Sequence, residues 1–181
     1  MRVKLVTIDR TPVRVGNRIR RLMPSPLCIR RAVEADLPAI REANLASTRG
    51  LCADAYTPEQ IEKWTSGREL DRYAPLVTPR FHCLVAVDDA VIGGFGTVDL
   101  EKSEISSLFV RPDYAGAGLA GSLLQQLEDI SRERGLQALS LESTVNARGF
   151  YLKHGFQVLA PVIKRFSNGL EIDCFQMQKP L

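Results

Sequence analysis

The sequence predicts an α/β (α+β) domain, a mixed sheet with helices on its faces. Three observations predict it. In the middle of the chain, strand-like and helix-like stretches alternate, from Glu104–Val110 through Leu119–Ile130 to Ala138–Ser143. On both flanks the stretches read as hairpins, turned by Asp88-Asp89 on one side and Ser167-Asn168-Gly169 on the other. Between them, a strand runs through the glycine-rich segment Gly116-Ala117-Gly118-Leu119-Ala120-Gly121 directly into a helix.

The elements follow in order. Residues 1–26 carry seven basic residues against Asp9, a local charge of +6, which leaves −3 for the rest of the +3 chain. They read as a basic, poorly ordered extension, and 27–181 as the domain. Leu27 to Ala32 is the first strand. Glu34-Ala35-Asp36 starts a helix that tolerates Pro38 in its first turn and runs along Leu37, Ile40, Ala43 and Asn44 to about Thr48. Arg49 to Tyr56 reads as a loop. Thr57-Pro58-Glu59-Gln60 has the signature of a helix N-terminus, with Thr as cap, Pro first and Gln third. Gly67 ends that helix. Phe81–Val87 and Val91–Leu100 form a hairpin whose second strand is weakened by Gly93, Gly94 and Gly96, the mark of a bend or a close approach. Glu104–Val110 is a strand in which period-two alternation sets Glu104, Ser106, Leu108 and Val110 on one face. Leu119, Leu123, Leu124, Leu127 and Ile130 recur at helical spacing to about Arg134, and Gly135 stops the helix. Ala138–Ser143 is a strand, Ala147–Lys153 a short helix, and Phe156–Ala160 and Ile172–Met177 the closing strands.

The glycine-rich turn suits an anion. Glycines let the backbone approach a ligand, and the first turn of a helix offers unpartnered N–H groups backed by the helix dipole. Three phosphate loops compete. A P-loop requires a Gly-Lys-Ser/Thr ending, which is absent. A dinucleotide loop matches Gly-x-Gly-x-x-Gly, but the acidic ribose partner is missing, since Asp129 and Glu133 lie inside the helix. The third is a pyrophosphate loop for coenzyme A.

The third reading gains from a resemblance. Ala115-Gly116-Ala117-Gly118-Leu119-Ala120 resembles the acyl-CoA loop of the GNAT superfamily of N-acetyltransferases, Gln/Arg-x-x-Gly-x-Gly/Ala, with Ala115 standing for the Gln/Arg. Asn146-Ala147-Arg148-Gly149-Phe150-Tyr151-Leu152-Lys153-His154-Gly155-Phe156 resembles the family's Ala-x-x-Phe-Tyr-x-x-x-Gly-Phe segment. The resemblance extends from about Leu27 to Pro180. It implies a mostly antiparallel central sheet of about six to seven strands with helices on both faces. It further implies an acetyl-CoA-dependent N-acetyltransferase that works by direct attack in a ternary complex, with no metal. Ala115, Gly116, Ala117, Gly118, Leu119 and Ala120 would hold the pyrophosphate. Phe109 and Val110 would face the pantetheine arm and offer a backbone N–H to the oxyanion. Asn146 would contact the cofactor, although the family's asparagine falls at Thr144. Tyr151 matches the general acid that protonates the leaving thiolate. Glu104 falls where several members place a glutamate base, and Glu142 is the alternative. The helices over 34–67 would cover the acceptor side of the cleft, which makes Arg49, Tyr56, Trp64 and Tyr73 candidates for substrate contact.

Composition narrows the field. A 181-residue chain with 45% hydrophobic and 25% charged residues fits one soluble domain. No apolar run reaches the ~18 residues of a membrane span. The mildly acidic domain argues against a nucleic-acid surface. Cys28, Cys52, Cys83 and Cys174 are scattered and lack Cys-x-x-Cys spacing, which reads as reduced thiols in a cytoplasmic protein. His82 and His154 are isolated, so no metal site is expected. A small-molecule or peptide amine is the expected partner, and a homodimer is left open. The competing functions are a non-catalytic acyl-CoA-binding module of the same fold, acting as sensor or partner, and, more distantly, a nucleotide-dependent oxidoreductase.

Overall fold

The computed structural model describes residues 4–5 and 27–181. The expectation of a poorly ordered basic extension therefore falls almost wholly outside the described residues. Eight strands form one sheet: β1 (Lys4–Leu5), β2 (Cys28–Arg31), β3 (Phe81–Asp88), β4 (Val91–Asp99), β5 (Glu104–Val110), β6 (Ala138–Thr144), β7 (Gln157–Arg165) and β8 (Glu171–Pro180). Their order is β1-β2-β3-β4-β5-β6-β8-β7. Every pairing is antiparallel except β5 with β6. The helices are α1 (Leu37–Leu51), α2 (Pro58–Thr65), α3 (Leu119–Glu133) and α4 (Arg148–Lys153).

Alternation along β3 assigns the helices to faces. Leu84 and Ala86 point to one side and pack with Leu119, Leu123, Leu124 and Leu127 of α3. Cys83 and Val85 point to the other and pack with Leu37, Ile40 and Ala43 of α1. A strand buried on both faces reads as the unbroken apolar run of Cys83 to Val87. A third cluster joins α2 to the β7–β8 hairpin through Trp64, Leu170, Ile172 and Cys174. The start of α2 is the expected reciprocal cap: Gln60 N–H donates to Thr57 Oγ1 (3.2 Å), and Thr57 N–H to Gln60 Oε1 (3.0 Å).

The structure departs from expectation at four places. α1 continues through Gly50 to Leu51, where a loop is expected. Gly50 is kept small because Pro112 packs on it: a Cβ there would lie 2.4 Å from Pro112 Cγ. A 3-10 stretch at Leu70–Val77 appears where no element is expected. β7 runs past Pro161 to Arg165 because it is an edge strand, where a residue without a backbone donor is tolerated. Finally, β5 carries a bulge. Thr97 lies opposite Ser107 and Val98 opposite Ile105, so Ser106 has no partner. The bulge breaks the expected alternation. Glu104 shares its face with Ser107 and Phe109, on the α1 side, while Leu108 and Val110 turn to the α3 side.

Candidate active site

The loop is built by β5 and α3. Gly116 (φ 75°) and Gly118 (φ 81°) take left-handed backbone that glycine accepts without strain. Gly118 precedes the first residue of α3, and a Cβ on it would meet nothing within 4 Å, so its α-carbon faces open space. Ser122 N–H is taken by Gly118 O (3.0 Å). No acidic side chain occupies this first turn, and the N-terminal end of the helix dipole faces the loop. The arrangement can receive an anion. Leu119, by contrast, buries its side chain in the core, so it can offer only its backbone.

Beside the loop the sheet opens. β5 pairs with β6 at Glu104 opposite Ser140 and, among the described residues, nowhere else. Ser140 N–H donates to Ser103 O (2.9 Å) at that closed end. Beyond it the strands diverge and leave two unpaired edges inside the sheet. Arg111 N–H donates to Gly93 O of β4 (2.9 Å). By alternation Phe109 also turns its amide to β4, and Leu108 and Val110 turn theirs into the gap. Of the two expected residues, Val110 thus presents an amide to the gap and Phe109 does not. Phe109 instead stacks on Phe95 with centroids 5.5 Å apart. Leu108 joins Val110 on that edge.

Tyr151 lies on the α3 side of the sheet, in the same buried cluster as Val110 and Leu119. α4 seats on the first turn of α3, where a Cβ on Gly121 would stand 3.2 Å from His154 Cε1. The Tyr151 ring lies edge-on to Phe150 and Phe156, at 5.1 and 5.5 Å. Burial pushes its phenol well above the ordinary value, which keeps it protonated. Its hydroxyl bonds to no described residue, yet it is not among the polar atoms sealed from solvent. Glu104 lies at the closed end on the opposite face, across from Asp99, whose carboxylate Arg80 holds. Glu142 shares the Glu104 face but is paired with Lys164 Nζ at 2.6 Å.

Several expected contacts have other work. Asn146 Nδ2 donates to Leu51 O (2.9 Å), which fastens the entry of α4 to the end of α1 and spends its amide away from the loop. Tyr56, Trp64 and Tyr73 are core residues. Tyr56 donates to Asp173 O (2.7 Å) and accepts from Val145 N–H (3.0 Å), and Tyr73 donates to Asn44 Oδ1 (3.1 Å). Arg49 is exposed and bonds Thr65 Oγ1 at 3.4 Å. No group of His, Cys, Asp and Glu among the described residues is arranged to hold a metal ion. No described helix is long and apolar enough to cross a membrane.

Against known proteins, the acetyltransferase (GNAT) domain family matches residues 52–180. The chain belongs to the GNAT acetyltransferase family. A solved GCN5-related N-acetyltransferase from Rhodopseudomonas palustris superposes with a TM-score of 0.79 over 92% of this chain and 100% of its own, at 25% identity. The PaiA N-acetyltransferase of Thermoplasma acidophilum, solved with coenzyme A, shares the fold with a TM-score of 0.64 over 84% of this chain and 98% of its own, at 24% identity. A putative ribosomal protein bS18-alanine N-acetyltransferase of Bacillus subtilis is 29% identical over 87 residues, 45% of this chain and 58% of that protein. This GNAT chain spans between 48% and 62% of the length of the curated relatives it matches.

Proposed function

We propose that the chain transfers the acetyl group of acetyl-CoA to a primary amine by direct attack in a ternary complex. The observation that carries the reading is the opening between β5 and β6. Two unpaired strand edges face it, β5 leads from it to the N-terminal end of α3, and Tyr151 and Glu104 lie on opposite faces of the sheet. An extended amide-bearing arm can pair with such edges as an added strand does, and a pyrophosphate suits the helix N-terminus. The amine then approaches from the α1 side and the sulfur leaves toward the α3 side.

The step balances with these groups. The amine nitrogen attacks the thioester carbon, and its proton passes to Glu104, directly or through water. Leu108 or Val110 N–H donates to the oxyanion. The C–S bond breaks, the thiolate takes a proton from Tyr151, and an N-acetyl amine and the free thiol of coenzyme A result. Glu142 is the weaker candidate for the base, because Lys164 holds its carboxylate. The four unpaired cysteines support a reducing, cytoplasmic setting.

A second reading, an acyl-CoA-binding module without turnover, draws on Ala115, which lacks the side chain the loop pattern places there. Thiol release from acetyl-CoA, measured against small amines, amino acids and peptides beginning with alanine, separates the two. Release with at least one acceptor class is expected. Tight CoA binding with no release for any class leaves the module.

A further inference from the structure

The segment ahead of the loop is gripped from two sides. Arg111 hands over to a single 3-10 turn, Pro112–Tyr114. Pro112 fills the notch at Gly50 in the last turn of α1. Tyr114 fills a second notch at Gly93, where β4 bulges between Ile92 and Gly94. A Cβ on Gly93 would lie 2.7 Å from Tyr114 Cδ1 and 2.9 Å from Cε1 and Cγ, so no other residue fits there with the ring in place. The backbone is fastened at the same bulge by Arg111 N–H on Gly93 O.

Past the ring, the Tyr114 hydroxyl donates to Asp88 Oδ2 at 3.2 Å. Asp88 is 6% exposed, and its Oδ1 is sealed from solvent with no partner. A buried carboxylate with one bare oxygen is an expensive way to fill space. An apolar side chain would pack more favourably, so the bond to Tyr114 needs another reason.

Geometry supplies one. Residues 115–117 alone separate the gripped turn from Gly118, and Leu119 and Leu123 then lock α3 into the core. Within this short span Gly116 and Gly118 can rotate with little resistance. The amides hold one arrangement only if both ends are fixed. α3 fixes one end, and the Gly93–Tyr114–Asp88 contact fixes the other.

We infer that Tyr114, seated on Gly93 and bonded to Asp88, is a positioning residue that pre-orders the loop amides for the pyrophosphate of the acyl donor. This rests on the acetyltransferase reading above. Tyr114 spends its hydroxyl on Asp88, so its effect falls on the phosphate-bearing half of the donor and not on the thioester.

The test uses the full chain and two donors, acetyl-CoA and acetylpantetheine, which lacks the pyrophosphate. Tyr114→Phe keeps the ring in its notch and removes only the bond to Asp88. CoA affinity by calorimetry should weaken ~3–10-fold, the range of one hydrogen bond passed on to binding. KM for acetyl-CoA should rise with kcat held, and kcat/KM for acetylpantetheine should not change. Asp88→Asn, which keeps an accepting oxygen, should keep nearly wild-type affinity, while Asp88→Leu should behave as Tyr114→Phe. Unchanged CoA affinity in Tyr114→Phe overturns the inference, whether or not the melting temperature moves. So does an equal loss for both donors. Failure of the wild-type chain to bind CoA at all overturns the underlying reading, a result distinct from either.

Discussion

Replacing Tyr56 with Phe removes one oxygen that holds three elements together. Tyr56 is 7% exposed, and its hydroxyl donates to Asp173 O of β8 and accepts from Val145 N–H at the entry to α4. Burial pushes this phenol far above its ordinary value, so both bonds persist across the working pH range. The ring keeps its edge-on contact with Trp64, at 5.5 Å, in Tyr56→Phe. The loss is therefore one hydrogen bond on each side, with the N–H of Val145 and the C=O of Asp173 left to water. A net hydrogen bond is worth about 1 kcal/mol. Two of them come to about 2 kcal/mol. For a chain of this size that is roughly 4–8 °C in melting temperature. Because the same bond pins the approach to Tyr151, turnover should fall severalfold while CoA affinity stays unchanged, since the α3 loop is untouched. Thermal unfolding, calorimetry with CoA and steady-state transfer on one preparation read all three. An unchanged melting temperature, or a loss of CoA affinity equal to the loss of turnover, would refute the reasoning.

Further predictions concern single groups. Glu104→Gln should lower turnover by ~10²–10⁴ near neutral pH, with part of the loss recovered as pH rises and the free amine fraction grows; a wild-type rate at pH 7 moves the base to water or Glu142. Tyr151→Phe should keep CoA affinity and fold stability and lose at least about tenfold in single-turnover transfer; full activity removes the general-acid role. Asp36 accepts both Arg30 nitrogens (2.7 and 2.8 Å) and Val33 N–H, and the Arg30 bond leads in holding its carboxyl below the ordinary value. A depressed acid stabilises the fold above its unfolded pKa and stops doing so as pH falls through the folded one. The melting-temperature gap between wild type and Asp36→Asn should therefore be widest near neutral pH and close on acidification below about pH 4; a gap that widens in acid contradicts it.

What the sequence disclosed depends on the range of the interaction that decides each feature. The α3 loop was legible because its glycines and the leucine period are local signals, and the start of α2 because a reciprocal cap needs only Thr57 and Gln60. The bulge at Ser106 was not, since a bulge is set by pairing with β4 and two adjacent serines give no hint which is skipped. The bulge turns Glu104 to the face opposite Leu108 and Val110. Tyr56, Trp64 and Tyr73 looked like substrate contacts because exposure is not written in residue type. Partners as distant as Asp173 decide that they are core. The bond of Asn146 to a carbonyl on α1 was hidden for the same reason. Gly93 did mark a close approach, but of Tyr114 and not of a ligand.

Direct acetyl transfer at the opening between β5 and β6 is the step we propose. Mixing the chain with acetyl-CoA and an accepted amine, and following intact protein mass alongside both products within one turnover, tests it most directly. N-acetyl amine and free CoA thiol should appear in equal amounts, the protein mass should not change, and Glu104→Gln and Tyr151→Phe should slow both products together. An acetylated protein that forms before the product, or thiol released without acetylated amine, would contradict the account.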